Sequence, residues 1–161
     1  MAPSFMQVPI SCSFHPSGLH LLVGFPDRLS LMNVLMDDIR GFRDMAVKDC
    51  RCSAFSHGGQ YFAAVSGSSI AVYGTYTGEN MLNLRGHSGK VRSLCWSEDD
   101  EHIISSSIDG SVLKWEMGTG NRLQDFEQKN CNFNSAVIAP DQHIFAVGND
   151  SILREVNRDL K

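Results

Sequence analysis

The chain has 161 residues, of which 42% are hydrophobic, so it is long enough for one globular domain with a sizeable core. Its formal net charge is −4 and its basic residues are interspersed with acidic ones, whereas a nucleic-acid groove needs clustered positive charge. No stretch approaches the ~20 apolar residues of a membrane helix, and the N-terminus lacks the features of a signal peptide. We therefore expect an intracellular chain without nucleic-acid or membrane partners.

The cysteines give no sign of a metal site or a disulfide framework. Their number is odd and no two are spaced as CxxC; they are Cys12, Cys50, Cys52, Cys95 and Cys131. Cys50 and Cys52 form a C-x-C pair, which on a strand would put both thiols on one face. A zinc site would need further ligands nearby. Buried, reduced thiols and no bound metal are the expectation.

Four segments of similar pattern recur along the chain. Each is a short apolar strand, a polar turn and a second apolar strand; they read CSFHPSGLHLLVGF, SAFSHGGQYFAAVSG, LCWSEDDEHIISSS and VIAPDQHIFAVGND. Their anchoring residues Phe14, Phe55, Trp96 and Ile138 are separated by 41, 41 and 42 positions. Self-similarity at one period is the signature of a repeat architecture.

Alternating apolar residues and regularly spaced turns predict only strands. In chain order, the predicted strands are 8–14, 19–24, 28–35 and 39–45; 50–56, 61–66, 69–75 and 79–85; 91–97, 102–107, 111–117 and 122–127; then 131–138, 143–148 and 151–157. The segment LMNVLMDDIRGF has spacing that would also suit a helix. The matching segment of the third unit, SVLKWEM, is strand-like, so the strand assignment is preferred.

Four short strands in each unit are typical of a blade of a β-propeller, in which packed sheets bury one another. The predicted fold class is all-β: residues 1–161 form a single partial propeller of about four blades, at 8–45, 50–85, 91–127 and 131–157. The last blade lacks its fourth strand. Propellers have about four to eight blades. The chain has fewer than four complete blades, so we expect an open arc rather than a closed ring.

The stretch Arg85-Gly86-His87-Ser88-Gly89-Lys90 admits two chemical interpretations, and both are disfavoured. A phosphate-binding loop would need Gly where Leu84 stands and Ser or Thr where Val91 stands. A hydrolase would need an exposed nucleophile, but Ser105 lies in the middle of a predicted strand rather than on a G-x-S-x-G elbow. No catalytic residue and no cofactor-binding residue is therefore assigned.

The stretch GHSGKVRSLCWSEDDEHIISSSIDGSVLKWE resembles a WD repeat. Gly86-His87 stands at the usual entry of such a repeat and Asp109-Gly110 at the turn between its second and third strands. Trp115-Glu116 takes the place of the closing Trp-Asp pair. The resemblance implies a hydrogen-bonded structural tetrad of His87, Ser105 (or Ser107), Asp109 and Trp115. Their chemistry fits, because Trp donates, Ser and His both donate and accept, and Asp accepts.

The other units carry this pattern incompletely. Asn33, Tyr73 and Glu155 stand where the tryptophan would be, in units one, two and four. Asp27 and Asp150 occupy the turn in units one and four, and unit two has no turn aspartate. Residues 98–101 (EDDE), with four carboxylates, are expected to form a solvated loop rather than a calcium site, because Ca²⁺ needs six or more oxygens from a structured loop.

Residues 8 to 157 as a whole resemble the cilia- and flagella-associated WD-repeat proteins, through CSFHPSGLHLLVGFPDRLSLMNVLMDDIR and FSHGGQYFAAVSGSSIAVY. The resemblance implies a non-enzymatic protein-interaction scaffold in the cytoplasm and in the axoneme of motile cilia and flagella, supporting inner dynein arm assembly and motility. Its partners would be axonemal or dynein-arm proteins, with no cofactor and no small-molecule substrate. The alternative is a generic cytosolic WD-repeat adaptor, such as a ubiquitin-ligase substrate receptor or a vesicle-coat component. An enzyme that uses the propeller centre is a third hypothesis.

Overall fold

All regular secondary structure in residues 4–156, the part of the chain that the computed structural model describes, is β-strand. Fifteen strands form four antiparallel sheets, each a simple meander. The first two sheets contain β1 (Ser11–Phe14), β2 (His20–Gly24), β3 (Leu29–Val34) and β4 (Ile39–Met45), then β5 (Ser53–Phe55), β6 (Tyr61–Ser66), β7 (Ser69–Gly74) and β8 (Asn80–Arg85). The last two contain β9 (Val91–Trp96), β10 (His102–Ser107), β11 (Ser111–Glu116) and β12 (Arg122–Glu127), then β13 (Phe133–Ile138), β14 (Ile144–Gly148) and β15 (Leu153–Val156).

The predicted fold class is confirmed: the sheets are propeller blades stacked side by side in an open arc. The segment with helix-like spacing is the hairpin of β3 and β4. In residues 4–156 no helix has the length and apolar character needed to cross a bilayer. Residue 157, the predicted end of the fourth blade, lies outside the described residues, as do residues 1–3 and 158–161.

Most strands are slightly shorter than predicted, and two of them begin three residues later than predicted. The strand predicted at 8–14 begins only at Ser11, because Pro9 has no N–H to give to a ladder. The strand predicted at 50–56 begins at Ser53, after a turn in which Asp49 has φ of 49°.

Three apolar clusters bind each blade to the next. Leu22, Leu31, Phe55 and Phe62 belong to the cluster between the first two blades. The second cluster includes Ile70, Leu84, Trp96, Ile103 and Trp115, and the third includes Ile104, Phe133, Ala136 and Ile144. Because side chains alternate across a strand, each inner blade supplies apolar residues to both of its neighbours.

The C-x-C pair does not share one face, contrary to expectation. Cys50 is buried in the cluster between blades one and two, whereas Cys52 packs against the cluster between blades two and three. The two residues precede β5 instead of lying on it, so the alternation of a strand does not apply to them. All five cysteines are free thiols.

The two outer faces of the arc differ in how well they are covered. On the first blade, Phe5 covers part of the face by an edge-on contact with Phe25, at 5.3 Å between ring centroids. On the fourth blade, Val137, Val147 and Leu153 are 49%, 39% and 68% exposed. Register pairs Val147 with Leu153, and this exposed apolar face is the end of the stack.

Candidate functional site

A chain of hydrogen bonds inside the third blade links its second and third strands to the connection that enters the blade. The indole Nε1 of Trp115 donates to Ser105 Oγ at 2.8 Å, and Ser105 Oγ lies 2.7 Å from His87 Nε2. Trp115 and Ser105 lie on β11 and β10, whereas His87 lies in the connection from β8 to β9. The chain therefore joins three segments that are distant in sequence.

The other ring nitrogen of His87 faces the turn between β10 and β11. His87 Nδ1 lies 2.7 Å from Ser111 Oγ and 3.3 Å from Asp109 Oδ2. Ser111 Oγ donates in turn to Asp109 Oδ1 at 2.6 Å. Ser111 thus stands between the histidine and the carboxylate.

The direction of these bonds fixes the tautomer of His87. The Ser105 oxygen accepts the indole N–H, so its own proton is free to go to Nε2, and the histidine proton is on Nδ1, pointing at Ser111 and Asp109. The chain of donors ends at a carboxylate, which only accepts. Burial lowers the pKa of His87, and the nearby Asp109 offsets this only in part, so the ring is neutral at pH 7.

Asp109 is held by several donors at once. Burial alone would raise the pKa of Asp109, but hydrogen bonds from the Ser111 side chain and the main-chain N–H groups of Ser111 and Ser88 lower it well below its usual range. The Ser88 N–H bond is 2.8 Å long. The carboxylate therefore stays ionised and fixes the path of the connection that carries His87.

Glycine is required at the turn that follows Asp109. Gly110 has φ of +84°, and a Cβ there would lie 2.5 Å from the carbonyl oxygen of Gln128 and 2.8 Å from that of Cys131. Both carbonyls belong to the connection into the fourth blade. The turn is thus packed against its neighbour's backbone, and a side chain would push the two apart.

The structure brings together all four residues of the tetrad that the resemblance implies: His87, Ser105, Asp109 and Trp115. Of the two serines left open, Ser105 is in the chain and Ser107 is not, since Ser107 Oγ donates to Lys90 O at 2.9 Å. Ser111 is the member that sequence reasoning missed. Ser111 follows Asp109 by two residues, the spacing at which an Asp side chain bonds the backbone within a turn. This spacing was the available signal.

This geometry does not suit hydrolysis. The Ser105 residue and the His87 side chain are both 0% exposed, so a substrate carbonyl has no approach to the serine oxygen. That oxygen is also an acceptor for the indole, which lowers its nucleophilicity. What the arrangement can do is satisfy the polar groups of four buried residues, His87, Ser105, Ser111 and Trp115, and hold three chain segments together.

The other blades use different residues at the position of Trp115. Register pairs Trp115 with Ile103, and the corresponding pairs are Leu21 with Met32 and Ile144 with Val156. The residues at the tryptophan position are therefore Met32 in blade one and Val156 in blade four. The expected positions, Asn33 and Glu155, are each wrong by one residue. A slip of one residue changes the face of the sheet, because side chains alternate.

In blade two the expected Tyr73 is in register with Phe62, and their rings stack at 5.3 Å. Its position matches that of Trp115 in blade three, which pairs with Ile103. In this blade an apolar contact between two rings takes the place of the indole–hydroxyl bond.

One group of residues has side chains suited to a metal ion. Donor atoms of Asp99, Glu101 and His102 lie within 4.8 Å of one another in the turn between β9 and β10. The two carboxylate residues are exposed, and Asp99 already accepts hydrogen bonds from Ser97 Oγ and the Glu101 main-chain N–H. Those bonds account for the shape of this turn without an ion.

Comparison with known proteins agrees with this geometry. The family model for the WD domain, G-beta repeat, matches residues 78–116, which include His87, Ser105, Asp109 and Trp115. The match assigns a WD repeat to residues 78–116, and the four stacked antiparallel sheets are consistent with WD-repeat blades in an open partial propeller.

The similarity extends beyond this one repeat. Over 157 residues, 97% of this chain, it is 43% identical to cilia- and flagella-associated protein 57 of Mus musculus. It is 43% identical over 70% of its length to protein 57 A of Tetrahymena thermophila, and 34% identical over 91% to protein 57 C. The resemblance seen in the sequence is confirmed. The chain spans 13%, 9% and 13% of the lengths of these relatives.

Proposed function

We propose that the chain is a non-enzymatic interaction scaffold of motile cilia and flagella, located in the cytoplasm and the axoneme. The observation that carries this proposal is the 43% identity to a cilia- and flagella-associated protein across nearly all of the chain. WD-repeat blades expose turns at both ends and faces at the rim, and such surfaces bind other proteins. The finer role proposed is support of inner dynein arm assembly, with axonemal or dynein-arm proteins as partners.

The polar cluster of the third blade supports the non-enzymatic part. Its hydroxyl, imidazole and carboxylate are the groups that a hydrolase would need, but all of them bond to one another inside the blade. We propose that the tetrad of His87, Ser105, Asp109 and Trp115 stabilises the blade, and that no cofactor or small-molecule substrate is involved.

Location tests the proposal directly. A tagged copy of the protein, expressed in cells with motile cilia, is expected along the axoneme, and proximity labelling from it should mark axonemal proteins. A diffuse cytosolic signal that labels ubiquitin-ligase or vesicle-coat proteins would favour the generic adaptor instead.

Loss of the protein tests the finer role. Electron tomography of axonemes lacking it is expected to show missing or disordered inner dynein arms with intact outer arms. Complete inner arms and normal beating in such axonemes would contradict the dynein-arm role while leaving the ciliary location untouched.

A further inference from the structure

The two ends of the arc differ in charge. The turns that follow the first and third strand of each blade all lie at one end, which we call the acidic end; they are residues 15–19, 35–38, 56–60, 75–79, 97–101, 117–121 and 139–143. They contain eight Asp or Glu residues and no Lys or Arg. The connections at the opposite end contain five Lys or Arg and four Asp or Glu. The surplus of carboxylates at the acidic end therefore favours a cationic partner over an anionic one.

A cavity of about 350 Å³ opens at the acidic end of the second blade. Tyr61, Tyr76, Met81 and Glu79 are among the residues that line it. Tyr76 and Met81 are 60% and 50% exposed, so the cavity has an accessible aromatic and thioether wall. A carboxylate next to aromatic rings is the combination that attracts an ammonium or guanidinium group.

The aromatic wall of the cavity, formed by Tyr76, is held in place by residues of the first blade. The Tyr76 ring meets the rings of His15 and His20 edge-on, each at 6.2 Å between centroids. Arg43 donates to the Tyr76 main-chain oxygen at 3.3 Å, so its guanidinium is engaged with the backbone of the turn. Within residues 4–156, no cationic side chain lies at ion-pair distance from the Glu79 carboxylate.

We propose that this cavity receives a lysine or arginine side chain from a basic segment of a partner protein. Glu79 supplies the opposite charge, Tyr76 supplies the ring face, and the other turns of the acidic end attract the flanking basic residues. The inference deepens the proposed scaffold function, because it specifies the chemistry of one partner. It is tested with purified protein alone, so its failure would leave the ciliary location standing.

The test is fluorescence anisotropy with a labelled peptide of four Gly-Arg-Ser repeats, and a peptide of four Gly-Glu-Ser repeats as the charge-reversed probe. The arginine peptide is expected to bind at low ionic strength and to dissociate as salt is added. The glutamate peptide is expected not to bind. Equal binding of both peptides, or no binding of the arginine peptide at low salt, would overturn the proposal.

Variants locate the site on the surface. Glu79→Gln and Tyr76→Leu change exposed side chains and are each expected to weaken binding about twofold to fivefold while melting like the parent protein. Glu127→Gln removes the same charge from an exposed residue at the end of β12, next to the opposite end of the arc. This variant is expected to bind the arginine peptide as tightly as the parent protein. Equal weakening by Glu127→Gln and Glu79→Gln would show attraction to net charge alone and would refute the cavity as the site.

Discussion

The carboxylate of Asp100 in the third blade accepts a hydrogen bond of 2.6 Å from the main-chain N–H of His57 in the second blade. Its other oxygen accepts one of 2.6 Å from Gly58. Asp100 has φ of 58°, a conformation that costs an L-residue roughly 1–2 kcal/mol. The two bonds between blades offset that cost.

Substitutions at Asp100 separate the bonds from the strain. Asp100→Ala loses both bonds and keeps the strained backbone, whereas Asp100→Gly loses the bonds and relieves the strain. Urea denaturation should show both variants less stable than the parent by about 1–3 kcal/mol. Alanine should be the worse of the two by about 1 kcal/mol. Equal stability of all three proteins would mean that the contact between the turns contributes nothing.

Removing one donor or acceptor from the tetrad is expected to destabilise the fold. Ser105→Ala leaves the indole N–H of Trp115 and the Nε2 of His87 buried without partners, and each orphaned group costs about 1–3 kcal/mol. Trp115→Phe removes the donor instead and leaves Ser105 bonded to His87. Equilibrium urea unfolding gives the free energy of unfolding of each variant. A lower value for Ser105→Ala than for Trp115→Phe would mean that the orphaned groups cost more than the lost indole packing. Both should lie well below the parent.

A matched control separates this cluster from the nearby surface. Ser88→Ala removes an exposed hydroxyl whose bond to Asp109 is 3.4 Å long, and it is expected to change stability by less than about 0.5 kcal/mol. Wild-type stability in Ser105→Ala would contradict the structural role of the tetrad.

The repeat period made most of this architecture predictable from sequence. The same period reappears in the backbone, because Gly18, Gly59, Asp100 and Gln142 all have positive φ at spacings of 41, 41 and 42. Each closes the turn between the first two strands of its blade. Turn chemistry and alternation are local, so a sequence reports them directly.

Contacts that depend on register or on neighbouring blades were harder to predict. The positions of Asn33 and Glu155 were wrong by one residue because the repeat period alone does not fix the register of a strand pair. The bond from Asp100 to His57 spans 43 residues, and SEDDE gave no sign of which carboxylate would reach a neighbour. Ser111 was missed because the tetrad implied by the WD-repeat resemblance consists of His87, Ser105, Asp109 and Trp115 and does not include it.

Stability should depend on pH through His87. Burial lowers its pKa below the usual 6.5, so the folded protein keeps the ring neutral while the unfolded chain binds a proton as the pH falls below that value. The stabilisation is complete above pH 6.5 and is lost as pH falls towards the folded pKa, at no more than about 1.4 kcal/mol per pH unit.

His87→Gln provides the comparison for this effect. The difference in unfolding free energy between parent and variant should shrink between about pH 7.5 and about pH 5.5. Asp109 does not contribute to this pH dependence. Its pKa is lowered, so its carboxylate stays ionised in this range and becomes protonated only in strongly acidic solution. His143, whose pKa is raised by Glu155, is present in both proteins and cancels. A difference independent of pH would show that folding leaves the pKa of His87 unchanged, and a difference that grows as the pH falls would show that the folded state favours the charged ring.

The apolar face of the fourth blade should cause self-association. Val137, Val147 and Leu153 form an exposed sheet face of the kind that other blades of this chain bury against a neighbour. Sedimentation velocity should therefore show a concentration-dependent mass. Leu153→Lys places a charge on this face and should shift the protein towards monomer, whereas Met36→Lys, at a fully exposed residue in a turn of the first blade, should not. A parent protein that stays monomeric at high concentration would contradict self-association through this face.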